Sequence, residues 1–290
     1  MYNLGHLGLY KNIPKKRMFN STPDYERDSY TLLQYKSHLR NEFLIPLKAN
    51  GDGTGVATIR LQSLESQTVK ITGNGKFYTS AAGTTEAGAE STIDNTLGSL
   101  YVKVPASESC YLVLGKADKL SGLGNVFNNV IADGNNIPYI NYCAINYPLI
   151  NLSIIRLSLV LNSSIIGSID NTPNLTYLRI QSNLLSSFTG DIGNVVKCYY
   201  LRSDINTNCT FTYDTPRNNW ASTYNTLWIS CASMTSTMVD NLLINLDASG
   251  VMPTGDKIIN LSGLCGAVTS ASAPARASLV NKGFTVVVNT

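Results

Sequence analysis

"NLTYLRIQSNLLSSFTGDIGN", residues 174–194, carries the pattern from which the architecture can be read. Leu175, Leu178 and Ile180 fit an L-x-x-L-x-L template, and Ile154, Leu157 and Leu159 in "IIRLSL" (154–159) fit it 21 residues earlier. The turn after the strand also recurs, "GDIGN" (190–194) repeating "GSIDN" (167–171) at an offset of 23. "CYYLRS" (198–203) continues the series, with Leu201 lying 23 residues after Leu178, and "TLWIS" (226–230) and "KIINLS" (257–262) are wider-spaced echoes. Strands this short cannot bury their Leu and Ile side chains alone. Stacking successive units buries them and pairs their backbones in a parallel ladder. Asn residues after the strands bond exposed backbone groups at each bend, and Gly supplies positive φ.

L-x-x-L-x-L is the strand signature of leucine-rich repeats, so residues 116–232 are expected to form an irregular leucine-rich-repeat-like solenoid. Before it, residues 42–115 hold runs such as "EFLIPL", "GVATIRLQSL", "QTVKITGNGKFYTS", "SLYVKVP" and "CYLVLG", separated by glycine-rich turns. Alternating β-formers between turns predict a small antiparallel β domain. Residues 233–290 read as an α/β cap. "STMVDNLLINLDASG" offers Ser236 or Thr237 as N-cap, Val239, Leu242, Leu243 and Leu246 at helical spacing, and Gly250 as stop. A second helix in "SAPARASLVNKG" has Ser272 before it, Pro274 in its first turn and Gly283 after it, and "FTVVVN" is a last strand. The expected class is mainly β with some α.

Residues 1–41 differ from all of this. They form an extended N-terminal arm with no lasting period, apart from "DYERDSYTLLQYKSHLR", which could make one short helix with Tyr30, Leu33 and Tyr35 on a face. Lys11, Lys15, Lys16, Arg17, Arg27, Lys36 and Arg40 oppose only Asp24, Glu26 and Asp28, so the arm's charge of +4 exceeds the +3 of the whole chain. Tyrosines interleave with these cations. Aromatic and Arg side chains are the usual anchors of protein interfaces, so Tyr2, Tyr10, Lys15, Lys16, Arg17, Tyr25 and Tyr30 are the candidate docking residues.

Several function classes are disfavoured by residue types and their placement. A net charge of +3 is too mild to call for nucleic acid as a partner. The six cysteines at 110, 143, 198, 209, 231 and 265 form no C-x-x-C pair, and both histidines, His6 and His38, lie in the cysteine-free arm. No metal or cofactor is therefore expected, and cysteines inside apolar runs such as "LWISCAS" are read as buried free thiols. No apolar core of an export signal follows Met1, and no run approaches a membrane span, so the expectation is a soluble protein that its own sequence does not export from the cytoplasm. Nor is there a basis for nucleophilic catalysis, because either histidine would have to act from the irregular arm. Asp170 and Asp191 follow equivalent turns and could line one rim as a glycan-cleaving pair, but bonding local backbone is the stronger reading. Trp220 and Tyr224, in "RNNWASTYN", are candidate receptor-facing aromatics, with internal packing as the competing reading.

Taken together, "KITGNGKFYTSAAGTTE…LYVKVP", "NTPNLTYLRIQSN…FTGDIGN" and "MVDNLLINLDASG…IINLSG…ASAPARASLVNKGFTVVVN" resemble the leucine-rich-repeat-like tail-fibre and adhesin-type structural proteins of Bacteroidetes phages and prophages. The resemblance covers roughly residues 65–290, and the ending A-x-x-x-L-x-x-K-G-x-T-V-x-x-N is its most specific part. It implies a virion protein with no catalytic residues, bound to other virion proteins through the arm, homo-oligomeric, and projecting its body toward a host surface glycan or protein. An exported bacterial cell-surface adhesin is the alternative, and a glycan-degrading tail spike a weaker one.

Overall fold

In the computed structural model the described residues are 25–49, 52–106, 108–125, 139–140, 143–145, 147–158, 165–181, 187–203 and 208–290. The protein is mainly β with few helices. Helix α1 (Tyr25–His38) is followed by eight strands: β1 (Phe43–Lys48), β2 (Ala57–Ser63), β3 (Gln67–Ile71), β4 (Lys76–Tyr78), β5 (Glu86–Gly88), β6 (Glu90–Ile93), β7 (Gly98–Lys103) and β8 (Ser109–Leu114). β1, β8, β3 and β6 pair antiparallel in that order, and β2, β7, β4 and β5 do the same in a second sheet. At the "GNG" turn of "QTVKITGNGKFYTS" the chain passes from one sheet to the other, β3 lying in the first and β4 in the second.

The second sheet runs without a break into the repeat region, because β9 (Leu120–Asn125) lies antiparallel to β2. β10 (Tyr139–Ile140) adds to the free side of β1. From there the chain alternates between two sheets through β11 (Cys143–Ile145), β12 (Ile154–Ser158), β13 (Ile165–Ser168), β14 (Tyr177–Gln181), β15 (Ser187–Asp191), β16 (Tyr200–Ser203), β17 (Thr210–Thr212) and β18 (Thr223–Ile229). β11, β13, β15 and β17 form a parallel four-stranded sheet. β12, β14, β16 and β18 extend the large sheet in parallel from β9. In the last two rounds helices replace the small-sheet strand: α2 (Ser236–Ala248) leads to β19 (Met252–Leu261), and α3 (Ala273–Asn281) to β20 (Thr285–Val288). The large sheet thus has eleven strands, parallel from β9 to β20.

Ile155, Leu178, Leu201, Leu227 and Ile259 occupy successive rungs of the large sheet and are all fully buried. They share one apolar core with Ile165, Phe188 and Phe211 of the small sheet's strands. Each such side chain stabilises by about 1.5–3 kcal/mol relative to exposure.

The spacing of 23 between Leu178 and Leu201 is the strand register, but the 21-residue alignment of "IIRLSL" with "LTYLRI" is corrected. Ile155, not Leu157, stands opposite Leu178, and Leu157 stands opposite Ile180, again 23 apart. A shift of two residues leaves every side chain on its own face, so the apolar pattern cannot distinguish the two registers. Rim hydrogen bonds decide: Thr176 N and Tyr177 N both donate to Ser153 O, at 2.8 and 3.0 Å, and Tyr199 N donates to Thr176 O.

The cap is built from local signals. Thr235, one residue before the expected N-cap, accepts from Met238 N and starts α2. Val239, Leu242, Leu243 and Leu246 are buried, and Gly250 ends the helix at φ +68°, a conformation that favours glycine. The short helix read in "DYERDSYTLLQYKSHLR" forms as α1, Tyr25–His38. What is corrected is its place: the helix is not part of a separate arm but is docked on the β body by Gln34 and Ser37, both buried. Gln34 Nε2 donates to Leu44 O at 3.4 Å and its Oε1 accepts from Ala144 N at 3.0 Å, satisfying backbone groups on β1 and β11. Among the described residues no helix is long and apolar enough to cross a membrane.

Candidate binding face

Strand alternation puts Ile155, Leu178 and Leu201 inside, so their neighbours Arg156, Arg179 and Arg202 stand on the outer face of the large sheet. Their register is direct: Arg156 is opposite Arg179, and Arg179 opposite Arg202. One side of the row continues to Trp228, opposite Arg202, and then to Asn260. On the other side Gly124 lies between Arg156 and Arg60. A Cβ at Gly124 would come within 3.3 Å of Arg60 Cβ and 3.9 Å of Arg156 Cβ, so the two arginine stems flank the glycine on one face. Four arginines therefore share a single cross-strand row, and all four are half-buried.

Aromatic rings run alongside. Tyr177 and Tyr200, two residues before Arg179 and Arg202, stack at 4.3 Å with planes 10° apart. The Arg202 guanidinium lies over the Trp228 ring, 4.4 Å from its centroid. Burial pushes the Tyr177 phenol above its ordinary pKa, as does the neighbouring Tyr200, while Arg156 and Arg179 pull the other way. Tyr177 therefore stays neutral and keeps its hydroxyl proton.

The electrostatics are one-sided. Seven neighbouring strands of the large sheet, in the order β7, β2, β9, β12, β14, β16 and β18, contain the four arginines and Lys103 and not one Asp or Glu. Adjacent strands are about 4.8 Å apart, and like charges directly opposite one another are unfavourable. Arginine cannot relieve this by losing a proton. A half-buried row of fixed positive charge is a surface suited to an anion.

The residues singled out from the sequence lie elsewhere. Tyr2, Tyr10, Lys15, Lys16 and Arg17 fall outside the described residues, and Tyr25 and Tyr30 lie in the part of α1 whose side chains are outside them. Trp220 and Tyr224 are not receptor-facing: they are 5% and 1% exposed. With Tyr213 they form an internal aromatic cluster, each successive pair of centroids 6.1 Å apart. The wider round between β16 and β18 leaves room that these rings fill. Asp191 is also buried rather than receptor-facing. Its Oδ1 accepts from Gly193 N and its Oδ2 from Thr215 N, both at 2.8 Å. Asp170 is exposed, yet its Oδ1 accepts from Asp191 N and Asn194 Nδ2 and its Oδ2 from Ser168 Oγ. Both carboxylates tie one turn to the next.

The row itself was missed, although the sequence carries a signal for it. Arg156, Arg179 and Arg202 recur every 23 residues, each following an Ile or Leu of the core. The six cysteines are buried free thiols, and among the described residues no cluster of His, Cys, Asp and Glu has the arrangement of a metal site. No family model, curated protein or solved structure matches this chain.

Proposed function

We propose that the protein is a non-enzymatic structural protein of a bacteriophage virion whose body is a short leucine-rich-repeat-like solenoid. The segment before α1 anchors it to other virion proteins, and the body presents a contact surface for attachment to the host. The observation that carries this reading is the arginine row. Arg60, Arg156, Arg179 and Arg202 are set in register across a rigid sheet, an arrangement suited to holding a partner, whereas Asp170 and Asp191 are occupied with backbone donors. The resemblance of residues 65–290 to tail-fibre and adhesin-type proteins supports the virion assignment.

The test is incorporation into particles. Gln34 and Ser37 belong to the folded body, so the informative deletion is 2–24 rather than the whole arm. Antibody-labelled particles should carry the intact protein and lose it when 2–24 is removed. Equal incorporation of both forms would overturn the anchoring role, and complete absence from purified particles would overturn the virion reading.

A further inference from the structure

We propose that the arginine row is a binding site for an acidic polysaccharide, its guanidinium groups taking the carboxylates of successive uronic-acid units. This rests on the attachment reading above and gives it a ligand class.

Three features of the face point this way. The first is repetition. Arg156, Arg179 and Arg202 present one guanidinium per strand, at a spacing of about 4.8 Å that is comparable with the advance of one sugar ring. A linear polymer lying across the strands would meet a cation at each step. The second is the chemistry of the fork. Arginine binds carboxylate through two parallel N–H donors, and these charge-assisted bonds are the stronger kind.

The third feature separates a polysaccharide from a nucleic acid. Single-stranded nucleic acids are held by bases stacking on open aromatic faces beside a basic groove. Here one face of each ring is already used: Tyr177 and Tyr200 cover each other, and Arg202 covers Trp228. Tyr200 is buried, so the half-buried Tyr177 phenol is the one beside the guanidinium row, suited to a sugar hydroxyl or carboxylate rather than to a stacked base.

Like charges also stand opposite one another along the row, and the seven neighbouring strands themselves contain no acid. Breaches of local consistency concentrate at functional sites.

The experiment uses the purified full chain and four probes: polygalacturonate, its fully methyl-esterified form, heparin and an oligothymidylate. Polygalacturonate should bind, the ester should bind at least tenfold more weakly, and raising salt should weaken the acidic form alone. An Arg156→Ala/Arg179→Ala variant should lose at least tenfold in affinity, and Arg156→Lys/Arg179→Lys an intermediate amount, because charge remains while the fork is lost. Thermal unfolding reads the same row without ligand: the alanine variant should melt no lower than the parent. Equal binding of acid and ester, or unchanged binding by the alanine variant, overturns the proposal. Oligothymidylate binding tighter than polygalacturonate through the same arginines would replace it with a nucleic-acid face, and a preference for heparin over polygalacturonate would overturn the carboxylate assignment. None of these readouts needs a particle, so failure here leaves the virion reading standing, and failure of the labelling experiment leaves this one standing.

Discussion

The carboxylate of Asp170 accepts the backbone N–H of Asp191 at 3.0 Å, so the turn carrying one acid is fixed by the side chain of the other. Asp191 passes the link on by accepting from Thr215 N. The three turns are therefore chained by carboxylate-to-amide bonds, which satisfy donors that the short 3-10 turns leave open.

Such a chain of turns predicts a graded loss of stability. Asp191→Ala strands two backbone donors beside a buried position and should cost about 3 kcal/mol. Asp170→Ala leaves one part-buried amide and two side-chain donors in exposed positions, and should cost about 1 kcal/mol. Urea unfolding of both variants measures the difference. Equal, negligible effects would mean that the turns hold themselves.

How much of this was legible in the sequence depends on which forces set each feature. The core was readable because Leu178, Leu201 and Leu227 obey the in–out alternation of a strand, and burial is a property of the pattern. The cap was readable because Gly250, Pro274 and Gly283 act on their own local backbone. Strand register was only half readable, since the choice between 21 and 23 residues rests on Ser153 O and its two amide donors. Trp220 and Tyr224 were ambiguous because a ring in a polar loop buries or exposes itself according to the neighbouring round. The arginine row was hidden for another reason: one Arg in a strand looks like ordinary solvation, and the 23-residue recurrence of Arg156, Arg179 and Arg202 becomes a row only once the register is fixed at 23.

Gln34 should act as a fastener for α1. It bridges Leu44 O and Ala144 N from a buried position, while His38 stacks on Tyr147 at 4.6 Å. Gln34→Ala removes both polar partners and should free the helix locally at a cost of about 2 kcal/mol. Hydrogen exchange should speed up across residues 25–38 and leave Leu178 and its neighbours unchanged. Uniform acceleration throughout the chain would show instead that the helix is integral to global folding.

The cysteines should behave as core atoms. Burial pushes the Cys143 and Cys198 thiols up to about 12, so at pH 8 almost none of either is the reactive thiolate. A chromogenic disulfide reagent should label these two only after denaturation, and all six should titrate in strong denaturant. Rapid labelling of Cys143 or Cys198 in the native state would contradict their placement in the core.

The cap should confer a specific acid sensitivity through Asp240. Burial pushes its carboxyl up, but hydrogen bonds from Ser272 and Thr269, with the charge of Arg276, together outweigh this and hold it below the ordinary value of 3.8. Thr269 N donates at 3.1 Å and Thr269 Oγ1 at 2.6 Å, joining α2 to the turn that starts α3. A carboxyl depressed in the folded state contributes stability that is fully present above its unfolded pKa. That contribution fades as pH falls below about 3.8 and is gone once the folded-state value is passed. Asp240→Asn keeps the volume but replaces one acceptor with an N–H2 group facing donors, and should cost about 2 kcal/mol at pH 7. Its stability should then vary less between pH 4 and pH 2 than that of the parent. Parallel stability–pH curves for the two proteins would show that Asp240 does not carry the acid dependence of the cap.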